Sequence, residues 1–341
     1  MKKTALVICP GRGTYNAAEL GYLYRHHADK TAFIDMLDHY RSTQGQLTIS
    51  ELDQAPNFSP KRHMTGDNAS PLIYGCALAD FQSIDQNKVD IVGITGNSMG
   101  WYLALAAANA VSLEDGVKIV NTTGKLMHDH AEGGQIVYPI VDDNWNISHE
   151  KQDLISDILN KKPDDAFIDI SINLGGMIIF AANASGLAYL QSSLPKQSPY
   201  PLKLNYHGAF HSTLVEKIVP LAQEALPIEM LSSPNIPLID GKGRIWHPHA
   251  TNIDALYDYT FETQINSLFD YSKAIEVGVK EFAPDMIIIL GPGSTLGGPT
   301  TQELIKHHWQ GLTSKDDFKQ RQSRDPFIIS MNIDDQRRLV V

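Results

Sequence analysis

The chain has 341 residues, of which 43% are hydrophobic and 20% are charged, as is ordinary for a soluble globular protein of one large domain or two. Its formal net charge of −11 argues against nucleic acid or an anionic membrane as a partner. The sequence has no apolar run near the roughly 18 residues of a membrane span, and its two cysteines suit neither a disulfide framework nor a metal site. Because Pro10 and Gly11 interrupt the first apolar run, no signal peptide is predicted, and we expect a cytoplasmic protein.

Apolar runs and helical patterns alternate through the first part of the chain, which predicts an α/β domain with a mainly parallel sheet. The predicted elements there are a strand at Thr4–Cys9, a helix around Ala17–Tyr40, an irregular surface excursion over residues 42–69, a buried helix at Pro71–Ile84, a strand at Asp90–Thr95, a buried helix at Trp101–Ala108 and a helix from Ser112 to about Met127.

The pattern then changes to the order β-α-β-β-α-β, which indicates a ferredoxin-like unit. Its predicted elements are a strand at Gln135–Val141, a helix at His149–Asn160, strands at Ala166–Asn173 and Met177–Asn183, a helix at Ser185–Leu194 and a strand at Pro201–Tyr206. The α/β pattern resumes with a helix at Ser212–Ala225, a strand at Ile236–Ile239, a mostly helical stretch at Ile253–Val279 and strands at Met286–Leu290 and Phe327–Met331. We therefore predict an α/β-hydrolase-like large domain with a parallel sheet, residues 1–133 and 207–341, and an inserted ferredoxin-like small domain, residues 134–206.

The most informative motif is G-x-S-x-G at Gly96-Asn97-Ser98-Met99-Gly100, which follows a predicted strand and precedes a helical pattern. In this context the serine lies on a sharp strand-to-helix turn with its hydroxyl exposed, and the flanking glycines avoid clashes. The amides at the start of the helix point to where negative charge develops during acyl transfer. Ser98 is therefore a candidate nucleophile, with a purely structural turn as the alternative.

A nucleophilic serine needs a base, and the chain has 13 histidines. Several form close pairs, which we interpret as surface or loop residues because no cysteine or carboxylate set completes a metal site. These pairs are His26 with His27, His128 with His130, His247 with His249, and His307 with His308. His211 differs because it begins a predicted helix where the small domain meets the large one, and clefts form at such places. It is the candidate base, and a helix-start histidine with its hydrogen bonds satisfied is the alternative.

Three glycine turns each end a predicted strand: Pro10–Gly13, Gly96–Gly100 and Gly291–Gly293. Loops at the carboxyl ends of parallel strands line one crevice, so we expect these turns to converge. The glycine spacing fits neither G-x-G-x-x-G nor a P-loop, and no nucleotide site is predicted.

With these motifs the chain resembles the malonyl-CoA:acyl-carrier-protein transacylases and the acyltransferase domains of polyketide synthases, over nearly its whole length. Five motifs recur in order and carry the resemblance, least clearly around residues 40–70. They are Pro10-Gly11-Arg12-Gly13 for P-G-Q-G, Gly96–Gly100 for G-H-S-x-G, the helix pair over Ala106–Met127, Ala209-Phe210-His211-Ser212 for A-F-H-S, and Leu290–Gly293 for V-G-P-G.

The resemblance implies an acyl-CoA:acyl-carrier-protein S-acyltransferase with no cofactor beyond acyl-CoA as substrate, and a monomer is the expectation. Ser98 is expected to carry the acyl group and His211 to act as the base, with the Gln264 backbone carbonyl orienting the histidine. The backbone amides of Met99 and Arg12 are expected to form the oxyanion hole. The expected partner is an acyl carrier protein. If that carrier is acidic, it must dock on a local basic patch, because this chain as a whole is acidic as well.

Several positions that the resemblance places at the cleft depart from the family pattern. Thr123 occupies the position of the family arginine that binds the malonyl carboxylate. Asn97 replaces a family histidine, and Trp101 replaces a family glutamate. Asn173 matches a family asparagine that lines the cleft, whereas Met177 stands where a glutamine is usual.

These departures leave two interpretations of the donor. In the first, which we favour, the acyl group is acetyl or another uncharged group because a hydroxyl at Thr123 cannot replace the ion pair. In the second, Arg12 supplies the missing guanidinium, and Phe210 in the A-F-H-S motif supports malonyl selectivity. A serine thioesterase or hydrolase with residues such as Asp285 and His307, and a non-catalytic partner in a synthase complex, are the alternatives from other classes.

Overall fold

The computed structural model describes residues 2–341, so that residue 1 of the predicted large domain lies outside the described residues. The strands are β1 (Lys3–Cys9), β2 (Val89–Gly96), β3 (Gly134–Pro139), β4 (Ile168–Leu174), β5 (Met177–Ala182), β6 (Leu202–Lys203), β7 (Leu238–Ile239), β8 (Ile245–Trp246), β9 (Phe269–Asp270), β10 (Met286–Ile289) and β11 (Ile328–Ser330).

The α-helices are α1 (Tyr22–His27), α2 (Thr31–Thr43), α3 (Ile49–Asp53), α4 (Pro60–His63), α5 (Gly66–Ser83), α6 (Gly100–Ala107), α7 (Leu113–His130), α8 (His149–Asn160), α9 (Ala184–Ser193), α10 (Ile218–Ala225), α11 (Ile253–Asp258), α12 (Gln264–Asn266), α13 (Tyr271–Phe282), α14 (Gly297–Lys306), α15 (Lys315–Arg324) and α16 (Asp334–Arg337). A π-helical turn at Tyr259–Thr263 joins α11 to α12. Within residues 2–341, none of the helices combines the length and the apolar character that crossing a lipid bilayer requires.

The larger sheet has six strands in the order β11-β10-β1-β2-β7-β8. Its central strand, β1, pairs in parallel with β2 and β10, so that Val7 lies opposite Ile94 and Ile288. The pairs β2–β7 and β10–β11 are also parallel, whereas β8 runs antiparallel to β7. Ala5–Cys9 of β1 are fully buried, as is typical of a parallel strand covered on both faces. The predicted α/β class is confirmed.

A second sheet has five strands in the order β6-β3-β5-β4-β9. Its first four strands pair antiparallel and come from the region that the sequence predicts as a small domain. The fifth strand, β9, comes from the returning chain and pairs in parallel with β4, with Ile172 opposite Phe269. The elements β3, α8, β4, β5, α9 and β6 follow one another in the predicted order. The domain boundaries at residues 134 and 206 stay a prediction.

The predicted continuous helix at Ala17–Tyr40 is wrong. The chain forms a 3-10 turn at Ala17–Glu19 and then α1 and α2 as separate helices. Gly21 has φ +82°, and Lys30 has φ −94° and ψ 43°, and neither conformation continues an α-helix.

The predicted surface excursion over residues 42–69 is also wrong, because α3, α4 and the start of α5 occupy it. The Thr48 and Glu51 side chains form a capping box at the start of α3, and Ile49 on that helix is fully buried. Helix α5 contains Pro71, whose missing N–H leaves the Asp67 carbonyl without its helical partner. Arg41 Nη1 donates to that carbonyl at 2.6 Å, so a residue from another helix satisfies it.

Elements near the carboxyl end differ from the predictions in extent. The predicted strand at Pro201–Tyr206 is reduced to β6, and the predicted helix at Ser212–Ala225 becomes a 3-10 turn followed by α10. Helices α14, α15 and α16 have no counterpart among the predicted elements.

The three glycine turns converge at the carboxyl ends of β1, β2 and β10, as predicted. A β-carbon placed on Gly11 would lie 2.6 Å from the Asn97 carbonyl oxygen. A β-carbon on Gly293 would lie 2.4 Å from the Thr14 carbonyl oxygen. Contacts this short leave room for glycine alone, so the backbones of the three turns pack directly against one another.

Candidate active site

Ser98 lies in the turn between β2 and α6, and its φ of +56° is rare for a residue other than glycine. A β-carbon on Gly96 would lie 2.2 Å from the carbonyl group of Gly100, and one on Gly100 would lie 2.4 Å from the Cys9 carbonyl oxygen. Both flanking positions therefore require glycine. The strand, turn and helix predicted around Ser98 are confirmed.

Two backbone amides near Ser98 have no protein acceptor. Within residues 2–341, neither the Met99 amide nor the Arg12 amide donates a hydrogen bond to a protein group. Met99 directly precedes α6, and the Arg12 turn packs against the Ser98 turn through Gly11 and Asn97. Unpaired donors beside a nucleophile are what an oxyanion hole requires. The assignment of these two amides to that role stays a prediction.

His211 contacts the candidate nucleophile directly. Its Nε2 lies 2.7 Å from Ser98 Oγ, and its Nδ1 lies 2.9 Å from the Gln264 carbonyl oxygen. A carbonyl only accepts hydrogen bonds, so Nδ1 carries the proton and Nε2 is free to accept the serine proton. Burial lowers the pKa of His211 to about 4, although the Gln264 carbonyl raises it in part. The imidazole is therefore neutral at neutral pH, as a general base must be.

Gln264 serves the site through its side chain as well as its carbonyl. Its Nε2 donates to the Ser98 carbonyl oxygen at 2.7 Å, and its Oε1 accepts from the Tyr259 hydroxyl at 3.1 Å. The same hydroxyl accepts from the Gly241 amide at 2.7 Å. Gln264 directly follows the π-helical turn at Tyr259–Thr263, a rare geometry that often marks functional sites. One residue thus holds both the serine turn and the histidine.

Two cavities meet at Ser98. The smaller has a volume of about 40 Å³, and the larger about 390 Å³. The smaller is lined by Arg12, Ser70, Ser98, Met99, Tyr102, Thr123, Gly124, Met127, Phe210, His211 and Gln264. Arg12 and Phe210 also line the larger cavity, whose other walls are mainly apolar side chains of the second sheet. The apolar side chains there include Val137, Ile172, Leu174, Met177, Ile179, Leu202 and Leu204.

Of the residues predicted to bind substrate, Thr123 and Phe210 line the smaller cavity, and Phe210 and Asn97 line the larger one. The structure does not bring Trp101 or Asn173 to either cavity. Trp101 is fully buried; its Nε1 donates to Thr260 Oγ1 at 3.1 Å, and its ring packs edge-on against Tyr259.

Asn173 lies at the junction of β4 and β9. Its Nδ2 donates to Asp270 Oδ2 at 2.9 Å, so its amide joins the two strands. Neither Asn173 nor Trp101 is among the residues that line the two cavities, and the predicted cleft role of each stays a prediction.

The Arg12 side chain links two loops across the site. Its Nη2 donates to the carbonyl oxygens of Met64 and Tyr206, at 2.8 and 2.9 Å. The guanidinium lies over the Phe210 ring, and its Nε has no hydrogen-bond partner among the described residues. Burial lowers the pKa of Arg12 to about 10, while Asp67 acts in the opposite direction, so the side chain stays charged at neutral pH.

Sequence reasoning missed His207 and Gln135, which contact each other and line the larger cavity. His207 lies four residues before His211, so a second histidine beside the base was a signal in the sequence. Gln135 gave no signal, because it reaches the site only through the pairing of β3 with β5. Within the described residues, no three histidine, cysteine, aspartate or glutamate side chains come together as metal ligands do.

Comparison with known proteins gives relatives in both sequence and fold, although no protein-family model matches the chain. A malonyl CoA-acyl carrier protein transacylase of Bacillus subtilis is 25% identical over 239 residues, which cover 68% of this chain and 70% of that protein. A phenolphthiocerol/phthiocerol polyketide synthase protein of Mycobacterium tuberculosis is 21% identical over 264 residues, which cover 74% of this chain and only 16% of that protein.

Solved structures give the same relationship for the fold. The malonyl-CoA:ACP transacylase of Synechocystis superimposes with a TM-score of 0.73 at 16% identity, covering 99% of both chains. A malonyl-transacylase in complex with its type II polyketide synthase acyl-carrier protein gives a TM-score of 0.70 at 16% identity, covering 89% of this chain and 93% of that one. The resemblance predicted from the motifs is confirmed: the chain is related in sequence to malonyl-CoA:acyl carrier protein transacylases and polyketide synthases, and it has the fold of the transacylases.

Proposed function

We propose that this protein moves an acyl group from an acyl-CoA to the phosphopantetheine thiol of an acyl carrier protein, through an ester on Ser98. The observation that carries the proposal is the 2.7 Å contact between Ser98 Oγ and His211 Nε2, with the Gln264 carbonyl behind the histidine. The names of the relatives, which act on malonyl-CoA and an acyl carrier protein, support the class of donor and partner.

In the proposed reaction His211 Nε2 takes the proton of Ser98 while Oγ attacks the thioester carbonyl. The amides of Met99 and Arg12 stabilise the oxyanion. When the intermediate collapses, the C–S bond breaks and His211 returns the proton to the leaving thiolate, which departs as CoA thiol. In the second half the carrier thiol gives its proton to His211 as its sulfur attacks the ester, and Ser98 recovers the proton as it leaves.

The two cavities support transfer between thiols. The thioester carbon must sit at Ser98, so the acyl group and the thiol arm extend into different cavities. The smaller cavity suits a short acyl group, because its volume is about a tenth of that of the larger cavity. The larger cavity, with its apolar walls, suits a long arm that leaves and is replaced. A retained acyl group and an exchangeable arm are what a transferase requires.

We propose that the donor acyl group is short and uncharged, such as acetyl. The Thr123 hydroxyl donates to the Ile119 carbonyl oxygen at 2.8 Å, so its proton is already used within α7. Both Nη2 hydrogens of Arg12 are used by the Met64 and Tyr206 carbonyls. A bidentate carboxylate contact needs one of these hydrogens whichever edge of the guanidinium it uses. A malonyl carboxylate would therefore lose its hydration without gaining a two-point ion pair.

Malonyl is the second candidate, and one observation favours it. Arg12 is the one cation among the residues that line the smaller cavity, and its buried Nε lacks a hydrogen-bond partner within residues 2–341. A carboxylate that accepts from Nε would satisfy this donor. On this candidate, Arg12 takes over the role of the arginine that Thr123 replaces.

Exposed basic residues beside the larger cavity support an acidic carrier protein as the partner. Lys203 lines that cavity, and Lys61 and Arg62 on α4 lie just before Met64, which lines it too. Because the whole chain carries a net charge of −11, these exposed basic side chains near the cavity are a local feature. Such a feature steers an acidic partner to the opening.

The hydrolase alternative gains no support from its candidate residues. Asp285 accepts hydrogen bonds from the amide and hydroxyl of Thr4, and His307 lies 3.3 Å from Glu303. Neither residue lines a cavity with Ser98. The non-catalytic alternative predicts a disrupted site, whereas the contacts between Ser98, His211 and Gln264 are complete.

The proposal is tested by incubating the protein with acetyl-CoA or malonyl-CoA, reading the mass of Ser98-acylated protein, and then adding a carrier protein that bears phosphopantetheine. We expect an acetyl adduct that Ser98→Ala abolishes and that the carrier discharges onto its own thiol. Release of free acid without the carrier would support the hydrolase, and no adduct with either donor would support the non-catalytic partner.

Arg12→Gln separates the two donors, because it restores the family residue and keeps the backbone amide. We expect acetyl loading to remain close to that of the wild type. Malonyl loading that is efficient and falls at least tenfold in Arg12→Gln would establish the second candidate. Efficient malonyl loading that Arg12→Gln leaves unchanged would refute both accounts of the donor.

A further inference from the structure

A chain of hydrogen bonds connects the Phe210 carbonyl, next to His211, with the ring of His207, and the donor and acceptor of each bond in it can be assigned. It joins the Phe210 carbonyl to Ser171 Oγ at 2.8 Å, Ser171 to Gln135 Nε2 at 2.6 Å, and Gln135 Oε1 to His207 Nδ1 at 2.8 Å. A carbonyl only accepts, so the single hydroxyl hydrogen of Ser171 goes to Phe210. Gln135 must then donate to Ser171 through its amide nitrogen, which leaves its oxygen facing His207.

The tautomer of His207 follows from this direction. Because Gln135 Oε1 only accepts, His207 Nδ1 carries the ring proton, and His207 Nε2 presents a lone pair. Burial lowers the pKa of His207 well below its usual value, and the charge of Arg12 acts in the same direction. The ring is therefore neutral at neutral pH.

The lone pair of His207 has no donor of its own. Among the described residues, no hydrogen bond uses His207 Nε2, and the residue lines the larger cavity. Asn97 lines the same cavity, and its Oδ1, which is buried away from the cavity surface, has no hydrogen-bond partner within residues 2–341 either. His207 is half-buried, so water reaches this acceptor in the free protein, and a ligand that displaces that water must bring an N–H group of its own.

The thiol arm of the proposed substrates has such groups. Its sulfur must lie at Ser98 and His211, and its first amide nitrogen follows three bonds away, in the larger cavity. An amide N–H that leaves water for this cavity loses about 1–3 kcal/mol unless it finds an acceptor.

We propose that His207 Nε2 accepts a hydrogen bond from the amide N–H nearest the sulfur of the pantetheine arm, and so positions both the donor and the acceptor thiol. This inference rests on the proposed function. It makes His207 a substrate-positioning residue that the motif at His211 does not include, held in the accepting tautomer by Gln135 and Ser171.

The test compares two small acetyl donors, of which only one has the N–H group that can donate to His207. They are S-acetyl-N-acetylcysteamine and its analogue in which an ester oxygen replaces the amide N–H. The measured quantity is the ratio of kcat/KM for acylation of Ser98 by the two donors. We expect the wild type to favour the amide donor about tenfold. His207→Phe, which keeps the ring but loses the acceptor, should bring the ratio to about one.

Two further variants serve as controls. His207→Gln keeps an acceptor near the Nε2 position and should retain part of the preference. Leu202→Ala changes the wall of the same cavity without altering a hydrogen-bonding group, and should keep the wild-type ratio.

The role of His207 and the proposed acyltransferase function fail on different outcomes. If the wild type is acylated equally fast by both donors, or if His207→Phe keeps the wild-type ratio, the role of His207 is refuted while the acyltransferase stands. If no thioester acylates Ser98, the proposed function fails and the role of His207 fails with it. Equal acylation of the wild type by the two donors refutes the role without any variant, and a wild-type preference is assigned to His207 only if His207→Phe removes it.

Discussion

Acidification should destabilise this protein through His211, and replacing that residue with asparagine should remove the effect. The asparagine does not titrate, and its amide can still donate to the Gln264 carbonyl. Burial lowers the pKa of His211 from 6.5 to about 4 in the folded state. The unfolded chain therefore takes up a proton below pH 6.5 that the folded protein does not bind until pH 4. Stability is lost as the pH falls through this window, and is unaffected by His211 above it.

The magnitude follows from the size of the shift. The difference between 6.5 and about 4 corresponds to about 3 kcal/mol of unfolding free energy, most of which is lost by pH 4.5. Because the group is almost completely buried, solvent screening reduces this little.

Urea unfolding at pH 7 and pH 4.5, followed by circular dichroism, measures the effect. All other titrating groups are common to the wild type and His211→Asn, so the wild type should lose about 2–3 kcal/mol more than the variant. His149→Asn removes an exposed histidine on α8 and should behave as the wild type does. An equal loss in the wild type and in His211→Asn would show that the imidazole is not held neutral, and would undermine its role as a base.

Two further substitutions test the support around the site. Gln264→Leu removes the side-chain bonds to Ser98 and Tyr259 but keeps the backbone carbonyl, so both stability, by roughly 1–3 kcal/mol, and the Ser98 acylation rate should fall. A normal acylation rate in a destabilised Gln264→Leu protein would show that the side chain stabilises the fold without positioning the nucleophile. Trp101→Phe removes the bond to Thr260 and should destabilise the protein by roughly 1–3 kcal/mol in urea unfolding. Its preference between acetyl-CoA and malonyl-CoA should match the wild type, and a changed preference would contradict the placement of Trp101 outside the cavities.

The sequence predicted most reliably what is local. The turn around Ser98 depends on glycines two residues before and after the serine, because their absent β-carbons leave space for Cys9 and Gly100. Thr123, identified by counting from Ser98, does line the smaller cavity, because α6 and α7 follow the turn without irregular insertions.

Long-range packing explains what the sequence did not predict. The sequence predicts His27 to be one of a surface or loop pair, and this is wrong: His27 is fully buried and lies 2.8 Å from Asp80, which also pairs with Arg337. These partners lie 53 and 310 residues from His27 along the chain, so no local pattern connects them. The order of the strands in the second sheet similarly depends on β9, which arrives from a distant part of the chain.

Backbone atoms make many of the contacts in the candidate site. The identity of the side chains in the sequence therefore predicts only part of it. The Gln264 carbonyl orients His211, the Met64 and Tyr206 carbonyls hold Arg12, and the Phe210 carbonyl sets the direction of the chain that ends at His207. Every residue supplies such a carbonyl, so the sequence alone does not reveal which residue orients the histidine. What distinguishes this site is where the chain places those atoms: Gln264 follows a π-helical turn, which sets its carbonyl toward His211 and its side chain toward Ser98. The side chains at Arg12, Asn97 and Thr123 depart from the family pattern and alter the chemistry of the cavities, whereas the backbone atoms that these residues supply are the same for any side chain. A change of donor is therefore compatible with an unchanged catalytic apparatus.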